Sequence, residues 1–437
     1  MLPILMFVVL FALVFLGVPV AFSLLATAFV FGMGIFGDKV VGIQLYGMVQ
    51  QTAQQYLLSA IPPFIVMGCI LERSGIAERL FRVLLLWMGR LPGGLALATI
   101  AMGAIFAAST GIVGAVEVVI GVMTIPVMMR HGYKKDLIAG TICAGGSLGT
   151  MIPPSLVAVI YASIANMSVG QLYAGMLLPG LLMVGMFLVY IVARCVFYPQ
   201  DGPPVARSEL EMPLGEKIWL TVTGFVPAVV LIAAVLGSTM FGIASPTEAA
   251  SVGALFALLL AILYRRMTWP LFVDAVRRTL LINCMIMLIV VGGTMFASVF
   301  RVQGGEKVVQ AIVADLDIGS YGVVLICLAI VFVAGFILDW VSIVLICLPI
   351  FMPIVAALKI DPVWFAVLMV VSIQTSYLTP PMAPSIFYLK SIAPPEITYR
   401  DMARGVLPFV IVQATTLLAL LLLPQLATYL PSQLKGF

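Results

Sequence analysis

The chain has 437 residues, of which 63% are hydrophobic and 9% charged, with a mean hydropathy of +1.21; soluble domains carry about 25% charged residues, so a soluble globular protein is excluded. The formal net charge of +4 is small and scattered over loops, which gives no nucleic-acid footprint. Six cysteines (Cys69, Cys143, Cys195, Cys284, Cys327, Cys347) stand singly in apolar runs beside one histidine, His131, so no disulfide framework, metal cluster or nucleophile–base pair of an enzyme is indicated.

Apolar stretches of about 17 to 25 residues, the length that crosses a bilayer as helix, recur from Pro3 to the C-terminal region. The first, LPILMFVVLFALVFLGVPV, lacks a basic n-region and a small-residue cleavage site and reads as a mature span. Residues 94–130 are apolar but broken in the middle by AASTGIVGA. Two arms of roughly 15 residues are too short to cross twice, so the segment reads as a re-entrant hairpin with its tip at Ser109, Thr110 and Gly111. The next span, 136–165, is interrupted by CAGGSLGTMIPPS, where two prolines remove backbone donors.

The longest polar stretch, Pro199 to Lys217, falls mid-chain and reads as a cytoplasmic linker between a first half (1–198) and a second (218–437). In the second half ASPTEA interrupts an early span, where Glu248 reads as a helix cap or scaffold residue. A second hairpin is expected over about 319–357, broken at GFILDW, with Asp339 and Ser342 at its tip, and a second broken helix over 361–390 carries SIQTSYLTPPMAPS.

Sliding the sequence on itself by 227 positions superposes Pro126 on Pro353, Pro153-Pro154 on Pro380-Pro381 and Tyr161 on Tyr388. A shared double proline with equal flanking spacings argues for an internal repeat. RHGYKKD follows the first hairpin and the nearly neutral KID follows the second, so the first opens to the cytoplasm and the second outward. The expected fold is therefore an all-α polytopic membrane protein of two inverted repeats. Each repeat has about five spans, one re-entrant hairpin and one broken helix, and both termini lie outside.

Broken helices at matched depths mark a transporter's binding site, because freed carbonyls suit a hard cation and freed N–H groups an anion. Asp339 is a functional candidate on this argument, and a helix-capping Asp is the alternative. Glu117, in VGAVEVVIG, is the other deep acid; it is read either as a proton or cation group, possible in coupling, or as the partner of a buried donor.

Four motifs, SAIPPFIVMG (59–68), GGSLGTMIPPS (145–155), ASPTEAASVGA (244–254) and GFILDWVSIVLICLPIFMPI (335–354), resemble the large membrane subunit of tripartite ATP-independent periplasmic (TRAP) transporters, the DctM family. The similarity covers nearly the whole chain. It implies a multi-pass permease of the bacterial inner membrane with an elevator mechanism, as in the ion-transporter superfamily. Na⁺ is the coupling ion and no other cofactor is implied. The implied partners are a small four-helix membrane subunit, a periplasmic substrate-binding protein, membrane lipid and an organic anion, for which the family suggests carboxylates such as C4-dicarboxylates, 2-oxo acids or sialic acid.

Carried over position by position, the resemblance places one Na⁺ site at Ser109, Thr110 and Gly111 with Gly145, Ser147, Gly149 and Thr150. It places the other at Gly335, Asp339 and Ser342 with Ser376 and Thr379, and substrate near Pro154, Ser155, Pro384 and Ser385. The first hairpin departs from many relatives in having Ala115 and, beyond it, Glu117. A stand-alone Na⁺- or H⁺-coupled anion transporter is the alternative reading.

Overall fold

The computed structural model describes residues 2–110, 113–316 and 318–434, and the regular elements among them are helices. The first half carries α1 (Leu2–Phe15), α2 (Val20–Phe36), α3 (Asp38–Ala53), α4 (Ile61–Arg73), α5 (Ile76–Met88), α6 (Gly94–Thr110), α7 (Val113–Arg130), α8 (Lys135–Ser147), α9 (Leu156–Ala165) and α10 (Val169–Phe197). Two helices, α11 (Arg207–Leu210) and α12 (Leu214–Gly224), follow. The remainder is α13 (Val226–Met240), α14 (Pro246–Leu263), α15 (Trp269–Val302), α16 (Gly305–Leu316), α17 (Gly319–Ala334), α18 (Trp340–Ala357), α19 (Pro362–Leu378), α20 (Pro384–Lys390), α21 (Tyr399–Leu422) and α22 (Gln425–Gln433).

Local chemistry sets many of these boundaries. Gly37, at φ +75°, ends α2 in a conformation that costs a residue with Cβ. The start of α14 is a reciprocal capping box in which the Ser245 hydroxyl accepts the Glu248 N–H and the Glu248 carboxylate accepts the Ser245 N–H, the capping role expected of Glu248. Asp361 accepts the N–H groups of Val363 and Trp364, both at 2.9 Å, and so starts α19.

The boundaries also keep a common offset. α7 and α18 begin at Val113 and Trp340 and end at Arg130 and Ala357, each pair 227 positions apart, and the N-caps Lys134 and Asp361 of α8 and α19 stand at the same separation. The correspondence fails at one place. The 34-residue α15 runs unbroken where the first half has α3, the 3₁₀ turn Tyr56–Ala60 and α4.

Seven helices among the described residues are long and apolar enough to cross a membrane, α18 among them. This is fewer than the roughly ten spans expected, because glycines, caps and proline breaks cut several apolar runs into shorter helices. The hairpin arms are also longer than the expected 15 residues, at 17 and 18 residues for α6 and α7 and 16 and 18 for α17 and α18.

The core is built on the two broken helices. Every residue from 137 to 163 is buried, as is every residue from 363 to 376. Around them pack α6, α7, α10, α17, α18, α20 and α21, while α2, α4, α13, α14 and α15 pack on one another and meet the inner group mainly through contacts of α15 with α18, of α4 and α5 with α6, and of α13 with α6 and α10. Small residues permit the closeness. A Cβ on Gly103 would lie 2.7 Å from the backbone of Gly145, the close approach that binds helices where no hydrophobic force acts between them.

Part of the stretch expected as a linker, 201–205, is tied down, while most of 206–217 is exposed. Gly202 O accepts the Gly93 N–H, Asp201 O accepts the Lys134 N–H, and Gly89 O accepts the Val205 N–H, each at 3.0 Å. Arg194 donates to both Asp136 oxygens (3.0 and 2.9 Å), to Asp201 (2.9 Å) and to the Tyr190 hydroxyl (3.0 Å), with only 12% of its side chain exposed. Removing the guanidinium leaves the buried Asp201 and half-buried Asp136 with only the exposed Lys134, at 3.6 and 4.0 Å, as countercharge, so Arg194→Ala should cost about 2–3 kcal/mol. A lowered thermal unfolding temperature in detergent checks this, and Arg194→Lys should recover only part of the loss because an ammonium cannot make the fork.

Candidate functional site

At the first break α8 ends in a 3₁₀ turn, Leu148–Thr150, and the chain runs extended to α9. Three hydroxyls close the gap. Thr150 Oγ1 donates to Ser147 O (2.9 Å), Ser155 Oγ donates to Thr150 O (2.9 Å), and Ser147 Oγ donates to Ala144 O (2.8 Å). Ser147 Oγ also accepts from Gln374 Nε2 (3.2 Å) and Gln413 Nε2 (3.3 Å). A hydroxyl offers one donor and two acceptor positions, so that of Ser147 is fully engaged with protein in this arrangement. Gly111 and the side chains of Ser109 and Thr110 lie outside the described residues.

At the second break the hairpin tip and the broken helix meet. A Cβ on Gly335 would stand 1.9 Å from Ser376 Oγ, so the two backbones approach as only glycine allows. Asp339 is the N-cap of α18. Its carboxylate accepts the N–H groups of Val341 (3.1 Å) and Ser342 (3.3 Å) and the Ser342 hydroxyl, which is the capping arrangement that the sequence left as an alternative. The Ser376 and Thr379 hydroxyls donate to Ile373 O (2.8 Å) and Thr375 O (2.6 Å) and keep acceptor positions. Asp339, Pro381 and Met382 are exposed, whereas the first break is buried throughout. Both Pro–Pro bonds are cis.

The two breaks are joined across the halves. Ser385, at the start of α20, donates to Glu117 Oε1 of α7 (2.7 Å), and both side chains are fully buried. A Cβ on Gly146 would fall 1.9 Å from Glu117 Cγ, which places the carboxyl directly against the end of α8. Ser147 and Gln374, bonded to each other, are themselves 227 positions apart.

The four residues expected near substrate differ in their surroundings. Pro154 and Ser155 are buried with the first break, Pro384 is half-buried, and Ser385 is committed to Glu117. A cavity of about 390 Å³ lies between α3, α9, α15 and α18, with Gln51, Thr52, Gln55, Asn166, Thr294, Ser298 and Arg301 as its polar lining. Pro353 lines it, but none of the residues expected to bind Na⁺ or substrate does. Sequence reasoning also passed over Gln374 and Gln413, although an amide inside an apolar run, at the repeat partner of Ser147 in one case, is a signal that could have found them.

Filling the gap at the second hairpin should separate its tip from α19. Gly335→Ala should destabilise the protein by about 1–3 kcal/mol through overpacking. Gly185→Ala, whose Cβ meets no atom within 4 Å, should be neutral or slightly stabilising, and thermal unfolding of the two variants checks the difference.

The sequence matches the family described as "Tripartite ATP-independent periplasmic transporter, DctM component" over residues 7–426. It is 29% identical to the C4-dicarboxylate TRAP transporter large permease protein DctM of Vibrio cholerae, over 99% of this chain and 98% of that protein. It is also 29% identical to the ectoine/5-hydroxyectoine TRAP transporter large permease protein UehC of Ruegeria pomeroyi, over 97% of each. Among solved structures it resembles the Alcanivorax borkumensis YdaH transporter, with a TM-score of 0.61 over 89% of each chain at 14% identity, a likeness of fold alone.

Proposed function

The chain belongs to the DctM component family of tripartite ATP-independent periplasmic transporters, and from that membership we propose that it is the large permease subunit of a Na⁺-coupled secondary transporter of the bacterial inner membrane. It works with a small four-helix membrane subunit and receives an organic acid from a periplasmic binding protein. The relatives are named for C4-dicarboxylates and for ectoine, so the substrate class is a small carboxylate.

The observation that carries this reading is the meeting of two proline-broken helices through residues at the same repeat position, Ser147 and Gln374, each beside a helical hairpin. Inverted repeats related by a two-fold axis in the membrane plane put such breaks at mid-depth, facing each other. The common offset of helix boundaries supports the repeat. In an elevator cycle the inner group of helices moves against the outer one.

One Na⁺ is held by Gly335, Asp339, Ser342, Ser376 and Thr379, where an exposed carboxylate and two hydroxyls with open acceptor positions supply hard oxygen ligands. The other is held by Ser109, Thr110 and Gly111 with backbone oxygens of Gly145, Ser147, Gly149 and Thr150. Substrate lies near Pro154, Ser155, Pro384 and Ser385, where the helices restart.

Asn caps a helix as well as Asp does. Asp339→Asn should therefore leave protein abundance unchanged while raising the Na⁺ concentration for half-maximal uptake about tenfold, a loss of roughly 1.4 kcal/mol. Equal loss of abundance and uptake would reduce Asp339 to a cap. Reconstitution with and without the partners tests the assembly: uptake requires the binding protein and the small subunit, and uptake by this chain alone would replace the tripartite reading with a stand-alone anion transporter.

A further inference from the structure

Of the acids among the described residues, Glu117 is the one with no exposed surface; Asp201, the next most buried, at 6%, is paired with Arg194. Glu117 Oε1 accepts the Ser385 hydroxyl, and Oε2 has no partner. No lysine, arginine or histidine forms an ion pair with it among the described residues. The cations and acids on α4 and α5, which pack against α7, point elsewhere: Arg73 pairs with Asp274, Glu72 with Arg278, Glu78 with Arg266, Arg79 lies over the Tyr264 ring, and Arg82 is exposed. Of the titratable side chains on α8, α19 and α20, Cys143, Tyr377 and Tyr388 lie near Glu117 and supply no positive charge, while Asp136 is bonded to Arg194 and Lys135 and Lys390 are exposed. α6 and the 3₁₀ turn after α8 carry no titratable side chain.

A carboxylate at full burial with one hydrogen bond and no countercharge is costly, and intramembrane acids of this kind face an ion or a proton pathway. The position fits that role. Glu117 is wedged against Gly146 at the end of one broken helix and bonded to Ser385 at the restart of the other, so a change in its charge acts on both.

We propose that Glu117, with Ser385, is a cation-carrying site of the transport cycle, distinct from the one around Asp339, and that its positive charge arrives from solution as Na⁺ at Oε2 or as a proton taken up there. This rests on the transporter reading. It deepens that reading by adding one positive charge to each turnover.

The test uses the full chain purified with its membrane partner, comparing wild type with Glu117→Gln by calorimetric Na⁺ titration and by the infrared C=O band of protonated carboxylic acids. If Na⁺ is the source, Glu117→Gln loses one bound equivalent. If a proton is the source, the Na⁺ count is unchanged and a carboxylic acid band of the wild type disappears in the variant. An unchanged count together with no band assignable to Glu117 overturns the proposal.

Neither readout needs transport, so they stand even where uptake fails and the transporter reading falls. Where uptake occurs, the charge moved per substrate drops by one in Glu117→Gln, and an unchanged ratio also overturns the proposal. Should that variant not fold, Ser385→Ala carries the test. Loss of the hydroxyl weakens Na⁺ binding at this equivalent about tenfold, as expected for one hydrogen bond to a charged group, or shifts the carboxylic band, and no change in either overturns it.

Discussion

A backbone group that leaves its helix inside hydrocarbon must find its partner within the protein, since no water is there to take it. Two proline pairs create that demand here, and much of the molecule answers it. The first break answers locally, with the hydroxyls of Ser147, Thr150 and Ser155 folding back on carbonyls three to five residues away, sealed by a buried run from 137 to 163. The second answers with longer reach. Thr379 closes the end of α19 on Thr375, the Tyr399 hydroxyl donates to Pro381 O at 2.8 Å, and Asp339 supplies the free N–H groups of α18.

These answers leave the two breaks chemically unequal despite their matched register. The second retains an exposed carboxylate and hydroxyls with open acceptor positions, so it can take a cation without rearranging its own bonds. The first has committed the Ser147 hydroxyl to two amides, and the acid nearest to it, Glu117, is bonded to the opposite half. A ligand that uses the Ser147 hydroxyl at the first break must therefore displace a protein hydrogen bond, while one at the hydroxyls of the second adds to those present. That difference gives an order to filling under the Na⁺-coupled reading, with the Asp339 side first.

What was legible in the sequence follows from range. The helix breaks were legible because proline removes a backbone donor at its own position, and 153–154 and 380–381 announce themselves. Where one apolar helix ends and the next begins was less so, because hydropathy averages over the caps at Pro19 and Gly37 that divide apolar runs. The ties of 201–205 were also hidden. They are backbone bonds to Gly89, Gly93 and Lys134 and the bond of Asp201 with Arg194, and a run of polar residues looks the same whether or not such partners exist. Likewise Asp339 could be placed at a tip, but its capping bonds needed the fold.

Under the inverted-repeat reading the pair Ser147 and Gln374 means more than a matched position. When residues at equivalent positions of two repeats touch each other, the axis relating the repeats passes between them, as in an isologous interface. Strict symmetry would place two serines or two glutamines there. The chain instead uses one small hydroxyl that accepts from Gln374 and from Gln413, so a single oxygen ties three helices at the point where the halves cross. A shift of either broken helix must stretch that shared oxygen, and the Glu117–Ser385 bond spans the same junction. Under the inverted-repeat reading the two breaks are thereby held as one body, which is the mechanical condition for carrying ions and substrate together rather than opening each site alone.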